Sequence, residues 1–335
     1  MAKITILGSG GFGIGLAVMA DHYGHQVTVW SAFADEIERI RQDREHKKLL
    51  PGVEIKESIH LITDISQIGD ADIVLFAIPS SFVRKVAKQA APYISAKAIV
   101  LNTGKGLEDG TFKRISVVLE EELPNNPVVA LSGPSHAEEV AIGMPTTIVA
   151  SSKKIEHAYT IQEVLSNAVF RIYANDDTIG CELGGALKNI IALSAGICDG
   201  LGYGDNTKAA LMTRGITEIA RLGVALGARM DTFAGLTGIG DLIVTCTSMH
   251  SRNRRAGILI GQGVAPQDAV AQVGTVEGYI CAKVAWELRK EAKVEMPITE
   301  QLYNILFCGK NVKEAIPELM DRPKKHESES IWTTR

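Results

Sequence analysis

The sequence predicts an α/β domain built on a doubly wound parallel sheet, followed by an all-α domain. Short apolar runs alternate with helical patterns through the first half, which implies crossovers and a parallel sheet covered on both faces. The alternation stops near Asn175–Asp177, and only helical periodicity continues beyond it. The 335 residues suit two domains. The expected division is 1–176 for the α/β domain, 177–321 for the helical domain and 322–335 for a polar, frayed tail that carries a lone Trp332.

Residues 4–7 read as a buried strand, then a glycine-rich turn, then a helix to about Tyr23. Residues 27–30 form a second strand, followed by a charged helix over 35–48 that ends before Pro51. Further strands fall at 59–62, 73–78, 99–102 and 128–131, with helices at 81–90 and 112–122 between the later ones. A strand at 146–150, a helix at 156–166 and a strand at 169–173 complete the parallel sheet. Helical segments then follow at 179–199, 208–226, 232–236, 254–260, 266–272, 278–291, 298–306 and 312–319.

Composition narrows the function. Hydrophobic residues at 46% and charged residues at 22% exclude a disordered chain. The 35 basic and 39 acidic side chains leave a net charge of −4, which argues against a broad nucleic-acid or anionic-membrane surface. Five cysteines, an odd number without a C-x-x-C pair, point away from a disulfide framework or zinc ribbon and toward a reduced, cytoplasmic setting. The N-terminus reads as a strand rather than a secretory leader, and no run of ~20 uninterrupted apolar residues is seen.

Gly8-Ser9-Gly10-Gly11-Phe12-Gly13 fits G-x-G-x-x-G between a strand and a helix. Its glycines allow the tight turn, close approach of backbone to a pyrophosphate, and helix–strand packing, and the helix N-terminus offers N–H groups to the anion. This marks a Rossmann-like dinucleotide fold. After the second strand comes Trp30-Ser31-Ala32-Phe33, where the nearest acid is Asp35 and no arginine stands at once; NAD and NADP are both admitted, and the motif alone also admits a flavin.

Lys105 follows the strand at 99–102, at the carboxyl edge where such sheets bind ligands; it reads equally as a solvated loop lysine. Ser132-Gly133-Pro134-Ser135-His136-Ala137 forms a second such edge, with small hydroxyls for a ligand and His136 as a base or a loop histidine. Lys188 shares a helical stripe with Cys181, Gly184, Ala192, Ala195 and Asp199, small neighbours that leave room for a ligand, unless the lysine snorkels to the surface. Partial desolvation lowers a lysine's pKa toward general acid–base use. Asp241, at the head of an apolar stretch and i, i+4 from Thr245, needs a partner, for which Lys188 is the natural candidate; the bland alternative is a helix cap. Ser251-Arg252-Asn253-Arg254-Arg255 suits a phosphate, or else a solvated face. No His/Asp/Cys group has metal-ligand spacing, so the expected chemistry is metal-free.

Taken in order, GSGGFG (8–13), TGKGLE (103–108), SGPSHAEE (132–139), GGALKNIIA (184–192), GIGDLIVTC (238–246), SRNRR (251–255) and VEGY (276–279) resemble the NAD(P)-dependent sn-glycerol-3-phosphate dehydrogenases of the bacterial, soluble type. The resemblance covers nearly the whole chain. It implies a catalytic pair, Lys188 as proton donor or acceptor and Asp241 positioning it. It implies substrate contacts from Lys105, Gly133, Ser135, Ser251, Arg252 and Asn253. It implies cofactor contacts from Gly8, Gly10, Gly11, Phe12, Gly13, Ala32, Lys105, Ala137, Arg252, Val276 and Glu277. Reduction of dihydroxyacetone phosphate for glycerophospholipid synthesis, and a homodimer, follow on the same ground. Gly11 and Ala32 depart from the family, which tends to carry serine or alanine at the first and arginine or histidine at the second; the latter weakens any strong NADP preference. The rival readings are a β-hydroxyacid dehydrogenase of the 6-phosphogluconate or hydroxyisobutyrate type, with Lys188-Asn189 as its pair, and a dinucleotide sensor without turnover.

Overall fold

A computed structural model describes residues 1–327. Trp332 and the rest of the expected tail beyond residue 327 lie outside the described residues. The chain forms two compact units, one of Met1–Gly104 and Lys113–Thr178, the other of Lys105–Phe112 and the chain from Ile179 onward. The expected first domain at 1–176 therefore yields its segment Lys105–Phe112 to the helical unit, where Leu107 is fully buried in the core.

The first unit contains, in order, β1 (Lys3–Leu7), α1 (Gly11–His22), β2 (Gln26–Trp30), α2 (Ala34–Asp43), β3 (Glu45–His46), β4 (Leu50–Glu54), β5 (His60–Ile62), β6 (Ile73–Phe76), α3 (Val83–Ala90), β7 (Ile99–Asn102), α4 (Ile115–Glu122), β8 (Val128–Ser132), α5 (Ala137–Ala141), β9 (Thr146–Ser151), α6 (Ile155–Leu165) and β10 (Phe170–Asn175). Eight strands make one sheet in the order β10-β9-β8-β7-β6-β1-β2-β5. Ile73 and Leu75 of β6 enter one core with α1, while Val74 and Phe76 enter the other beneath α3 and α4. Burial on both faces explains why these strands read as unbroken apolar runs.

Four details differ from the sequence reading. The sheet is not wholly parallel: β9 pairs antiparallel with β8, and β10 runs parallel to β9. The link from β8 carries only the five-residue α5, whose Ala137 packs on Gly11 and Gly15 in the first turns of α1. The chain thus stays at the edge where β8 ends, and β9 starts from there; a parallel return needs a longer crossover. The helix expected over 35–48 stops at Asp43, where Arg44 turns left-handed (φ 52°) and β3 opens a two-stranded ribbon with β4. The helix expected from 112 starts at Ile115, because Phe112 also has positive φ (59°).

The second unit is helical: α7 (Thr178–Gly200), α8 (Asp205–Ala225), α9 (Met230–Phe233), α10 (Asp241–Thr247), α11 (Arg252–Gly261), α12 (Pro266–Val273), α13 (Glu277–Ala292), α14 (Pro297–Phe307) and α15 (Val312–Met320). By length and composition α7 could cross a membrane, but Glu182 and Lys188 interrupt its apolar run and 94% of its apolar window is buried inside the structure, as befits a core helix. Gly196 and Gly200 of α7 face Gly257 and Gly261 of α11 so closely that a Cβ on any of them would strike the other helix's backbone. This contact packs the second half of α11, a helix that begins two residues before the sequence reading, against the C-terminal turns of α7.

Candidate active site

In the first unit the glycine turn joins β1 to α1. Gly8 has φ 126°, and a Cβ there would lie 2.5 Å from the Ala77 carbonyl oxygen, so only glycine makes this turn. Gly10 faces open space, with no atom within 4 Å of a built Cβ, and no side chain caps α1. The first-turn amides of α1, from Gly11, Phe12 and Gly13, therefore form a cradle for an anion. This fits a dinucleotide pyrophosphate. Ala137 packs on Gly11 with its Cβ 3.6 Å from the built position. Gly133 (φ 130°) lies against the Ile148 backbone, and Ser135 Oγ donates to the Gly133 carbonyl at 2.9 Å. Beside them the buried Ser132 hydroxyl, at the carboxyl end of β8, has no protein partner among the described residues.

The acid nearest the end of β2 is not the one the sequence suggests. Asp35 is exposed, whereas Glu36, one residue further into the first turn of α2, reaches back to the glycine turn and accepts from the Ser9 hydroxyl. Ser9 Oγ also lies 2.8 Å from Ser31 Oγ, which accepts from the Phe33 amide at 3.3 Å. Ala32 is exposed and brings no charge.

In the second unit Lys188, on α7, is buried and so is Asp241, the first residue of α10. Lys188 Nζ donates to Thr245 Oγ1 at 2.6 Å and lies 3.2 Å from Asp241 Oδ1. Thr245 Oγ1 donates in turn to the Asp241 carbonyl oxygen at 2.6 Å. The other carboxylate oxygen, Oδ2, pairs with Lys105 Nζ at 2.8 Å. One carboxylate thus holds two lysines. Burial pushes the Lys188 ammonium down to about 8; Asp241 opposes the shift and the Lys105 cation adds to it. A π-helical turn, Leu236–Gly240, immediately precedes Asp241, and Gly184 on α7 has no room for a Cβ against its Thr237 carbonyl. Wide turns of this type often mark functional positions.

A hydrogen-bond relay ties the rest of this unit's candidates to the same place. The Gly278 amide donates to Asn253 Oδ1 at 2.8 Å, Asn253 Nδ2 to Asn189 Oδ1 at 2.9 Å, and Asn189 Nδ2 to the Lys105 carbonyl at 2.9 Å. Thr245, left without a role by sequence reasoning, and Asn189, given one only in the rival hydroxyacid reading, are the members it missed. Their signal was only adjacency to Lys188 and i, i+4 spacing from Asp241. Ser251 caps α11, its Oγ accepting from the Arg254 amide at 3.2 Å. Val276 precedes α13 at its N-cap position without a side-chain bond, and Glu277 is the helix's first residue. The arginines of 251–255 do not act alike: Arg252 is exposed, but Arg254 bonds Asp199 (2.8 Å) and the Thr247 carbonyl (2.7 Å), with Lys208 on the same aspartate at 2.6 Å. Arg254 is a brace between α7 and α11.

A glycine-turn sheet unit joined to a helical unit with a buried lysine whose pKa is lowered by burial defines the class of two-unit NAD(P)-dependent dehydrogenases. Residues 3–158 match the family model described as NAD-dependent glycerol-3-phosphate dehydrogenase N-terminus, and 177–317 match the corresponding C-terminus. A protein of Desulfitobacterium hafniense named glycerol-3-phosphate dehydrogenase, NAD(P)+ type, is 50% identical over 99% of this chain and 94% of its own length. One of the same name from Bacillus subtilis is 49% identical over 100% and 98%. The crystal structure of glycerol-3-phosphate dehydrogenase from Coxiella burnetii superposes with a TM-score of 0.91 at 35% identity, over 96% of this chain and 99% of that one. The chain belongs to the NAD-dependent glycerol-3-phosphate dehydrogenase family.

Proposed function

We propose that the protein catalyses reversible hydride transfer between NAD(P)H and dihydroxyacetone phosphate, giving sn-glycerol 3-phosphate for glycerophospholipid synthesis. The observation that carries this reading is Lys188, buried yet held by Thr245 and Asp241 and poised to titrate at about 8. When bound, the nicotinamide supplies or accepts the hydride. The Gly8–Gly13 turn would hold the pyrophosphate, with Ala32, Lys105, Ala137, Arg252, Val276 and Glu277 as its further contacts.

Protonated Lys188 hydrogen-bonds the C2 carbonyl oxygen. As the C=O π bond opens it gives that oxygen a proton, so ketone becomes alcohol and Lys188 becomes neutral. In the reverse direction neutral Lys188 takes the hydroxyl proton. An acid or base near the working pH serves both directions, and such proton transfer commonly contributes about 10²–10⁴-fold in rate. Asp241 is the positioning residue: it fixes the ammonium and restrains the fall of its pKa. Lys105 touches substrate from the other side of the same carboxylate. Ser251, Arg252 and Asn253, at the N-terminus of α11, suit the substrate phosphate, with Gly133 and Ser135 as further contacts. We also place the protein in the cytoplasm as a homodimer, on the ground of the family resemblance.

Nicotinamide absorbance followed on adding dihydroxyacetone phosphate tests the reading in wild type and Lys188→Ala. Oxidation of the reduced cofactor that Lys188→Ala abolishes while dinucleotide still binds is the expected result. Wild-type protein that binds dinucleotide yet leaves it unoxidised would overturn the assignment.

A further inference from the structure

We infer that Glu36 makes this protein selective for NADH over NADPH. The inference rests on dinucleotide binding as proposed above. At a G-x-G-x-x-G turn the adenosine ribose lies by the carboxyl end of β2, where a carboxylate can accept from the 2′-hydroxyl and an arginine can donate to a 2′-phosphate. Here β2 ends at Trp30, and Ser31, Ala32 and Phe33 follow.

The carboxylate that occupies this place is held by a directed chain of hydrogen bonds. Ionised Glu36 can only accept, so the single Ser9 hydroxyl proton goes to it. Ser31 then donates to Ser9, and the Phe33 amide donates to Ser31. Both hydroxyls have their partners, and the carboxylate is fixed through one oxygen against the second residue of the phosphate turn. The Glu36 side chain is 29% exposed, so a ligand can reach it; its second oxygen has only the buried His46 ring nearby, at 3.9 Å.

Three cations of α2 and the ribbon after it have partners of their own. Arg39 bonds the Asp35 carbonyl at 3.1 Å. Arg41 bonds Glu38 and the Leu61 carbonyl, and Lys47 bonds Asp43. A 2′-hydroxyl thus finds an acceptor, whereas a 2′-phosphate meets a fixed negative charge with no countercharge among these residues. Like-charge juxtaposition of this type is strongly unfavourable.

The test is equilibrium binding of NADH and NADPH, read by nicotinamide fluorescence without substrate, for wild type, Glu36→Gln, Ser9→Ala and Asp35→Asn. The expected wild-type preference for NADH is about tenfold or more. Glu36→Gln should shrink it mainly by tightening NADPH. Ser9→Ala, which unties the carboxylate, should shrink it in part, and Asp35→Asn should leave it unchanged. Equal or tighter NADPH binding by wild type, or a ratio that Glu36→Gln does not move, overturns the inference. Failure to bind either dinucleotide sinks it together with the dinucleotide reading. Selective binding without turnover would remove the proposed activity and leave the selectivity standing.

Discussion

Asp241→Asn separates an electrostatic role from a merely structural one, because the amide keeps the shape of the carboxylate and removes its charge. At the 3.2 Å between Lys188 Nζ and Asp241 Oδ1, unit charges attract by about 5 kcal/mol at an effective dielectric of about 20. At about 1.4 kcal/mol per pH unit, that sets a ceiling of about 4 units on the fall of the Lys188 midpoint. The amide dipole, Thr245 and reorganisation recover part of it, so a fall of about 1–3 units is expected. In the proposed mechanism reduction needs the ammonium, hence activity lies on the acid side of the midpoint, which stands at about 8 in the wild type. Lowering the midpoint moves the alkaline limb of the profile toward acid. At pH 8 the variant should therefore reduce dihydroxyacetone phosphate about 5- to 500-fold more slowly, with the deficit shrinking as pH falls toward 5. The assay is the pH dependence of kcat for reduction, with circular dichroism to verify folding. A variant equally impaired at every pH, with its midpoint still near 8, would refute the reasoning.

Other measurements probe the scaffold. Gly257→Ala would place a Cβ 2.8 Å from both Gly196 Cα and Ile197 N, so α7 and α11 must separate; denaturant unfolding should show a loss of about 1–3 kcal/mol, and KM for substrate should rise because α11 carries Asn253. Glu218, buried on α8, accepts from the Ile298 and Thr299 amides at the start of α14, yet burial pushes its carboxyl up to about 7. A folded pKa above the unfolded value contributes stability at acid pH that is lost as pH rises. The thermal midpoint should thus fall between about pH 5 and 8, and Glu218→Gln should flatten that slope; an unchanged slope in the variant would assign the pH dependence to other groups.

The strands of the first unit were legible because a strand buried on both faces leaves an unbroken apolar run, as at Ile73–Phe76. Strand direction was not legible, since Thr146–Ser151 has the same pattern whichever way it runs. The ribbon at Glu45–Glu54 was hidden because Lys47 and Lys48 continue a charged helical pattern, and the break comes from backbone at Arg44 rather than from glycine or proline. In the site, Lys188 and Asp241 stood out as charges in apolar company. That Lys105 shares the same carboxylate, and that Asn189 carries its backbone, depends on tertiary contacts across many residues which no local spacing encodes. Asp35 and Glu36 are adjacent acids, and only the course of the chain into α2 decides which one reaches Ser9.

The loan of Lys105–Phe112 to the helical unit means that the two halves of the chain are not interchangeable cassettes. A fragment cut near residue 177 would lack Leu107, leaving an unfilled hole in the helical core worth about 2–5 kcal/mol, and would lack the lysine that shares Asp241. On the ribosome the loop is made long before the helices that will enclose it, so it must wait as an open clasp until the second half emerges. Gene fusions or domain swaps among relatives would have to exchange this clasp along with the helices that close on it.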